Sequence, residues 1–596
     1  MAGRGDSSVD CGCAVVGQAG GEAAATAQRR VLARTASVCP VCLGPAPAER
    51  VAVGDTVLLV KRCPEHGEFS VPVWRGEPAF TGWVRPKIPT ARRGPGTERV
   101  LGCPNDCGLC PDHGQHTCTL LIEVTQRCNL RCPVCFASAG QGERGERGER
   151  QSGGVGGEPD GGRSDERRED DARASLPGDD PTLGELVSRL AVLRPRAGDA
   201  NIQLSGGEPT LRDDLPQLVT AVRGLGYPFV QLNTNGLRLA REAGYAARLA
   251  AAGLDSVFLQ FDGPDDVATA RLRGLPLHAV KVRAVEACAA AGLGVVLVCT
   301  VARGVNDHCL GDIVRFGLAR VPVVRGAHFQ PVSFFGRYEG FGAPEGVSGG
   351  VCGDAPGVVS AGADDRAGVR TLDDRREAAR ITQPEVMRAV RDQTGGLIPL
   401  SHLHPPGCEH AQCSFSGTFM AHEDGRLEPA GGACCGTGGN GGSGGKGGGS
   451  GAIDPAPIPA ALGAERARAF VRRQWRAPEP ASAATAGTVG GMPAAPRDDF
   501  ERFLARAGRR FTVSGMAFQD AWTLDTERLR GCCIHVAAPD GRMVPFCAWN
   551  LTSAGGTPLH RNGAPIGVGC AGDGEGSEGA GVADGGPIGS TEGEGA

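Results

Sequence analysis

The chain has 596 residues, and its 62 Lys and Arg against 67 Asp and Glu give a net charge of −5. That balance has no basic excess, which argues against nucleic acid as the main partner, and with no run of about 18 apolar residues nothing is expected to span a membrane. The 95 glycines and 42 prolines are bunched into stretches that cannot form cores, while the 24 cysteines fall in short clusters that suit metal ligation in a reducing cytosol better than a disulfide framework.

Residues 1–37 are Ala- and Gly-rich and read as disordered, with Cys11 and Cys13 incidental; their start lacks an apolar signal core, so a cytoplasmic location is expected. A metal module follows over 38–85. Cys39-Pro-Val-Cys42 and Cys63-Pro-Glu-His66 flank the strand-like Thr56 to Val60, the arrangement of a zinc ribbon or rubredoxin with a Cys3His site. Thiolate-rich tetrahedral geometry suits zinc or iron, and a structural site is expected.

The loop 100–118 carries Cys103, Cys107, Cys110 and Cys118, a C-x3-C-x2-C-x7-C series. Four thiols in one loop are read as ligands of a closed auxiliary [4Fe-4S] cluster, with zinc as the competing reading and His113 and His116 beside the ligands. The apolar run Leu120 to Val124 reads as a strand, and directly after it come Cys128, Cys132 and Cys135 at C-x3-C-x2-C. Three thiolates hold three irons of a [4Fe-4S] cluster and leave the fourth open to a ligand; a zinc knuckle completed from elsewhere is the alternative.

Residues 138–180, with Gly-Glu-Arg repeats, read as a disordered insertion. Beyond it strands and helices alternate: strands Asn201 to Leu204, Phe229 to Leu232, Val257 to Phe261, Val295 to Val301 and Ala327 to Val332, separated by amphipathic helices. With Leu120 to Val124 this makes six βα units, an α/β fold that is a partial (β/α)6 TIM-like barrel over 119–400, with a second insertion at 339–370. Every strand end carries a polar signature. Ser205-Gly206-Gly207-Glu208-Pro209 lets backbone approach a ligand, with Glu208 an acceptor for an amine. Asn233-Thr234-Asn235-Gly236, Gln260-Phe261-Asp262-Gly263, Asn306 and Gln330 follow in order, each of them weak alone because Asn-Gly and Asp-Gly also form ordinary turns.

Together, the cysteine triplet with Phe136 directly after it and these ordered strand ends resemble the radical S-adenosylmethionine (SAM) superfamily over about residues 119–335. The resemblance implies that Cys128, Cys132 and Cys135 hold the catalytic cluster, that Gly206, Gly207 and Glu208 hold the methionine amine, that Asn235 and Asp262 contact ribose, and that Asn306 and Gln330 lie near adenine. The knuckle pair, the Cys103 loop, Gln-Phe-Asp-Gly and the C-terminal Val544-Pro-Phe-Cys547-Ala-Trp-Asn550 further resemble the archaeal tetraether lipid synthases and their bacterial relatives, although the three insertions are foreign to that pattern.

In the C-terminal region, 401–561, Ala460 to Trp475 and Phe500 to Ala507 read as amphipathic helices, 431–452 as a Gly-rich insertion and 562–596 as a disordered tail. Cys408, Cys413, Cys533 and Cys547 are chosen as ligands of a second auxiliary cluster, with Cys434, Cys435 and Cys532 competing. Cys288, Cys299, Cys309, Cys352 and Cys570 are assigned to packing or disorder. The expected activity is hydrogen abstraction from an unactivated carbon by a 5'-deoxyadenosyl radical, coupling lipid tails. A lipid or other hydrophobic substrate, peripheral membrane contact and a one-electron donor such as ferredoxin or flavodoxin are implied. The alternative is a radical SAM methylase or maturase acting on a pterin-like or other small substrate; a non-catalytic zinc-binding protein is the distant one.

Overall fold

The computed structural model describes residues 29–90, 94, 96–139, 180–338, 369–371, 374–430, 457–478 and 508–561. The insertions and the tail read from the sequence lie almost wholly outside these residues, as do Cys11, Cys13, Cys352, Cys434, Cys435, Cys570 and the helix expected over Phe500 to Ala507.

Four strands, β1 (Arg30–Val38), β2 (Pro45–Val53), β3 (Thr56–Cys63) and β4 (Gly67–Arg75), pair in sequence order as an antiparallel meander. Arg30–Val38, read from the sequence through residue 37 as part of a disordered start, is thus a strand. Along β3 the period of two puts Val57, Leu59, Lys61 and Cys63 inside. Buried Lys61 is satisfied by the Ala521 carbonyl at 2.6 Å and Ser37 Oγ at 3.1 Å, so the meander is docked on the C-terminal segment. Arg50 strengthens that joint through Asp525, Nε to Oδ2 at 2.8 Å.

The central sheet has 11 strands. Its parallel heart is β5 (Thr119–Thr125), β6 (Asn201–Gly206), β7 (Val230–Thr234), β8 (Ser256–Gln260), β9 (Gly294–Val301) and β10 (Val324–Pro331), adjacent in that order. These are the six expected strands. The C-terminal region then adds what local pattern does not disclose. After β11 (Ser414–Ala421) and β12 (Leu427–Pro429), strand β13 (Arg510–Met516) pairs parallel to β10, and β14 (Ile534–Ala537) pairs parallel to β5. The parallel run is thus eight strands long, bordered by antiparallel β11 on one side and β15 (Met543–Pro545) on the other.

Helices cover the outer face. α1 (Leu183–Ala197) starts at a capping box of Thr182 and Glu185 and buries Leu186, Leu190, Leu193 and Ala197 on one stripe. α2 (Leu215–Gly224), α3 (Leu237–Arg241), α4 (Tyr245–Ala251), α5 (Asp266–Arg273), α6 (His278–Ala290), α7 (Leu310–Leu318) and α8 (Gln383–Gln393) follow. They bury the outward residues Ile202, Leu204, Val230, Leu232, Val257, Leu259, Val295 and Leu297, all at 0% exposure. Truncating one of these to Ala costs about 2–5 kcal/mol. Cys288 and Cys299 are buried in this core as packing residues, and Cys309 is buried nearby.

The helix expected over Ala460 to Trp475 is present as α9 (Ala460–Trp475). It lies across the N-terminal ends of the strands: Arg468 donates to the Thr117 carbonyl at 3.1 Å, Arg472 to Asn201 Oδ1 at 2.9 Å, and Arg476 Nε to Asp255 Oδ1 at 2.9 Å. Its last residue, Trp475, packs on Phe258 with ring centroids 4.7 Å apart. The barrel therefore has a floor. No helix among the described residues is long and apolar enough to cross a membrane.

Candidate functional site: a cysteine loop over a polar barrel lumen

The inward residues of a parallel sheet buried on both faces are normally apolar. Here many are polar: Gln203, Ser205, Gln231, Asn233, Gln260, Thr300, His328 and Gln330 line a cavity of about 260 Å³ together with apolar Leu121 and Val298 and the rings of Phe136, Phe258, Trp475 and Phe546. Its upper rim is the cysteine loop, with Cys128, Cys132 and Cys135 all on the wall.

That loop is fixed at both ends. Where it leaves β5, Thr125 Oγ1 donates to Asp180 Oδ1 at 2.6 Å and Arg127 Nε to Asp180 Oδ2 at 2.7 Å. At its far end Cys135 and Arg337 exchange backbone hydrogen bonds of 2.8 and 2.9 Å, and Arg337 Nε donates to the Cys132 carbonyl at 2.9 Å. Gly206 and Gly207 press on it from β6. A Cβ on Gly206 would strike the Thr125 carbonyl, one on Gly207 the Arg127 carbonyl, and Gly206 has φ +121°, so only glycine fits there. Burial, and next the Glu208 charge, push the Cys128 thiol up to about 12. A thiol so placed ionises when a cation takes it as ligand, which is the chemistry of a metal cradle.

The expected SAM contacts divide into two groups. Phe136, Gly206, Gly207, Glu208, Asn235 and Gln330 line the cavity. Asn235 Nδ2 also donates to Asn129 Oδ1 at 2.8 Å and so ties the cysteine loop to the end of β7. Glu208 accepts from Thr234 Oγ1 at 2.7 Å, Asn235 N at 2.7 Å, and both Thr210 N at 3.1 Å and Thr210 Oγ1 at 2.5 Å. Three of these bonds converge on Oε1, so Oε2, which accepts from Asn235 N, keeps an acceptor position for an amine.

Asp262 and Asn306 do not fit the roles given to them. Both are at 0% exposure and neither is on the cavity wall. The Asp262 carboxylate is taken by Arg273 and Thr300 N, and Asn306 Nδ2 donates to the Asp262 and Thr300 carbonyls at 2.8 Å each. They brace the strand ends. The side chain that does reach the cavity from this corner is Arg273, which the sequence did not flag.

The remaining cysteines regroup. In the meander, Cys39, Cys42, Cys63 and His66 bring their ligand atoms within 4.8 Å of one another, as the ribbon reading requires. Cys103, Cys107 and Cys110 line a small recess with His113, but Cys118 is not their fourth partner. It joins Cys408 and Cys533, again within 4.8 Å, with Cys533 Sγ and Cys408 Sγ 3.4 Å apart and Glu409 Oε2 3.6 Å from Cys533 Sγ. The cause is register. Pairing of Ile534 with Thr119 sets Cys533 beside Cys118, and Cys118 N donates to the Cys533 carbonyl at 2.8 Å. Cys413 and Cys547, expected with Cys408 and Cys533, neighbour Cys532 instead, whose thiol is raised by burial and then by Cys547 and Cys413.

Residues 122–317 match the radical SAM superfamily, and residues 31–75 match the HMPTM N-terminal zinc ribbon domain. The chain is 30% identical over 549 residues to the 7,8-dihydro-6-hydroxymethylpterin dimethyltransferase of Methanocaldococcus jannaschii, covering 87% of this chain and 93% of that relative. It belongs to that family of radical SAM enzymes. The likeness to the GTP 3',8-cyclase of Acidothermus cellulolyticus is narrower, 31% identity over 36% of this chain and 51% of the cyclase. Among solved structures, Streptococcus suis SuiB bound to precursor peptide SuiA aligns over 37% of this chain and 40% of its own, at 14% identity and TM-score 0.27.

As a radical SAM enzyme the chain uses a [4Fe-4S] cluster, SAM and a one-electron donor, and its other cysteine sets suit auxiliary clusters or zinc. When bound, the cluster supplies the electron that splits SAM into methionine and an adenosyl radical. The protein's own part is to hold the thiols on a fixed loop, packed against Gly206 and Gly207.

Proposed function

We propose that this radical SAM enzyme methylates a pterin-like substrate, the reading set out above as the alternative to lipid coupling. The observation that carries it is the likeness to the pterin dimethyltransferase, which covers 87% of this chain instead of stopping at the superfamily core, beside the match of residues 31–75 to the HMPTM zinc ribbon. The lining of the lumen supports it. A cavity of about 260 Å³ that sets the carboxamides of Gln203 and Gln231 beside the rings of Phe258 and Trp475 offers a flat heterocycle both hydrogen bonds and packing. The lipid-synthase resemblance finds no support in the relatives reported above.

In this reading Cys128, Cys132 and Cys135 hold the cluster, and Gly206, Gly207, Asn235, Phe136 and Gln330 surround SAM with Glu208 behind them. The 5'-deoxyadenosyl radical takes the hydrogen atom of a substrate C–H bond to give 5'-deoxyadenosine, the substrate carbon radical takes a methyl group from a one-carbon donor, and the donor's remainder, left one electron short, is reduced by a second electron from the one-electron donor. The test is anaerobic incubation of the reconstituted enzyme with reduced flavodoxin, SAM carrying a 13C-methyl group and 7,8-dihydro-6-hydroxymethylpterin. Methylated pterin with 5'-deoxyadenosine is expected, and the label reports whether SAM is the donor. Formation of 5'-deoxyadenosine with the pterin unchanged, and a chain-coupled product from added lipid, would return the lipid reading.

A further inference from the structure

Below the cluster-facing rim the lumen holds a second layer of polar groups that SAM chemistry does not use. Gln203 Nε2 donates to Asn233 Oδ1 at 2.8 Å and Gln231 Oε1 at 3.3 Å, and Gln231 Nε2 donates to Ser256 Oγ at 3.0 Å. This ladder spans three neighbouring strands, where apolar residues would pack at lower cost. With Asn233 Nδ2 donating to Ser205 Oγ at 3.3 Å, these bonds fix the carboxamides in orientation and leave Gln203 Oε1 and the second N–H of the Gln231 and Asn233 amide groups outside the ladder. Across the lumen His328 anchors Nδ1 on Ser514 Oγ at 2.9 Å, which leaves Nε2 as a second polar point on the wall. His328 stacks on Phe258 at 5.7 Å and 28°, and Phe258 meets Trp475 at 4.7 Å, so aromatic surface stands beside the amides.

We propose that this inner layer binds the pterin ring, with the carboxamides of Gln203, Gln231 and Asn233 pairing with its lactam edge and Phe258, Trp475 and His328 packing on its face. The inference rests on the pterin reading and deepens it by naming the residues that select the substrate. A pterin's pyrimidine edge runs acceptor, donor, donor, acceptor: the C4 carbonyl, N3–H, the 2-amino group and N1. A carboxamide carries one acceptor and two donors, so it pairs with the carbonyl and N3–H of the lactam at once, whereas a carboxylate, acceptor only, pairs with N3–H and the amino group, and the ring would have to slip one position along its edge to meet it. A flat heterocycle also gains from aromatic packing what an aliphatic chain does not. Burial lowers His328 to about 4, so it meets the ring as a neutral imidazole. With the lactam edge held low, the substituted side of the ring faces the cysteine loop.

The test is equilibrium binding of 7,8-dihydro-6-hydroxymethylpterin to the reconstituted full chain, followed by pterin fluorescence, for wild type, Gln231→Leu, Gln231→Glu and Trp475→Leu, with melting temperature and metal content as controls for folding. At least tenfold weaker binding is expected for Gln231→Leu and Trp475→Leu. Gln231→Glu keeps the size of the side chain, stays measurable if the leucine variant does not fold, and is also expected to bind at least tenfold more weakly. Wild-type binding with the folded variants within twofold of it overturns the inner-layer site and leaves the pterin reading standing. Absence of wild-type binding together with absence of methylated product overturns both.

Discussion

Arg273 holds both carboxylate oxygens of Asp262, Nε to Oδ2 and Nη2 to Oδ1 at 2.7 Å each, with the carboxylate at 0% exposure. The pair crosses from the end of α5 to the end of β8, and Arg273 Nη2 reaches on to Thr300 Oγ1 at 2.9 Å. Removing the cation leaves a buried charge without its partner, which typically costs about 3–5 kcal/mol. Arg273→Ala should therefore lower chemical-denaturation stability by that order, while Asp262→Asn together with Arg273→Met should recover much of the loss.

Gly207→Ala tests the fit of the cysteine loop. The added methyl would strike the Arg127 carbonyl, so the backbone next to Cys128 has to move. The expected outcome is a fold of near wild-type circular dichroism with loss of the SAM-cluster absorbance and at least a tenfold fall in 5'-deoxyadenosine yield, since small displacements of reacting groups cost that much. Normal yield would show that the contact between β6 and the loop does not position the cluster.

The regrouped cysteines predict which substitutions share a phenotype. Cys118→Ser, Cys408→Ser and Cys533→Ser should each remove the same complement of metal per chain, and Cys413→Ser should leave that complement in place. Likewise Cys39→Ser and Cys63→Ser should release the ribbon's ion and expose the meander to protease, because a structural ion of this type contributes directly to folding. Iron and zinc analysis after reconstitution checks both statements.

Acid stability carries a signature of His328. Its ordinary value is 6.5, and burial lowers it in the fold to about 4. Between these values the unfolded chain binds the extra proton, so this contribution to stability is complete above about 6.5 and is lost as pH falls toward 4. His328→Gln should flatten that part of the curve of melting temperature against pH.

The six central strands were legible because their outward residues are unbroken apolar alternations such as Ile202, Leu204 and Val230, Leu232, separated by helices with clear stripes. The cysteine triplet and the Gly-Gly-Glu turn were legible because their chemistry is packed into a few consecutive residues. What escaped depends on pairing between distant segments. Nothing local in Arg510–Met516 says that it adds to Val324–Pro331, nor in Ile534–Ala537 that it adds to Thr119–Thr125. That second pairing decides the partner of Cys118, which spacing alone gave to the Cys103 loop. Asp262 and Arg273 show the same limit in a side chain: an Asp-Gly at a strand end looks like a ligand contact until a cation eleven residues away is seen to occupy it.

The floor of the barrel is joined to the strands by its own side chains. α9 lies between the Gly-rich run 431–452 and the Ala- and Pro-rich run after residue 478, and it is held to the strand ends by Arg468 on Thr117 and Arg472 on Asn201, with Arg476, directly after it, on Asp255. Proteolytic nicks on both flanks should leave it seated, as an enzyme of three fragments that copurify. A chain lacking 457–478 should be restored by the synthetic peptide of that sequence, and a peptide with Trp475 replaced by Leu should restore the fold without restoring pterin binding.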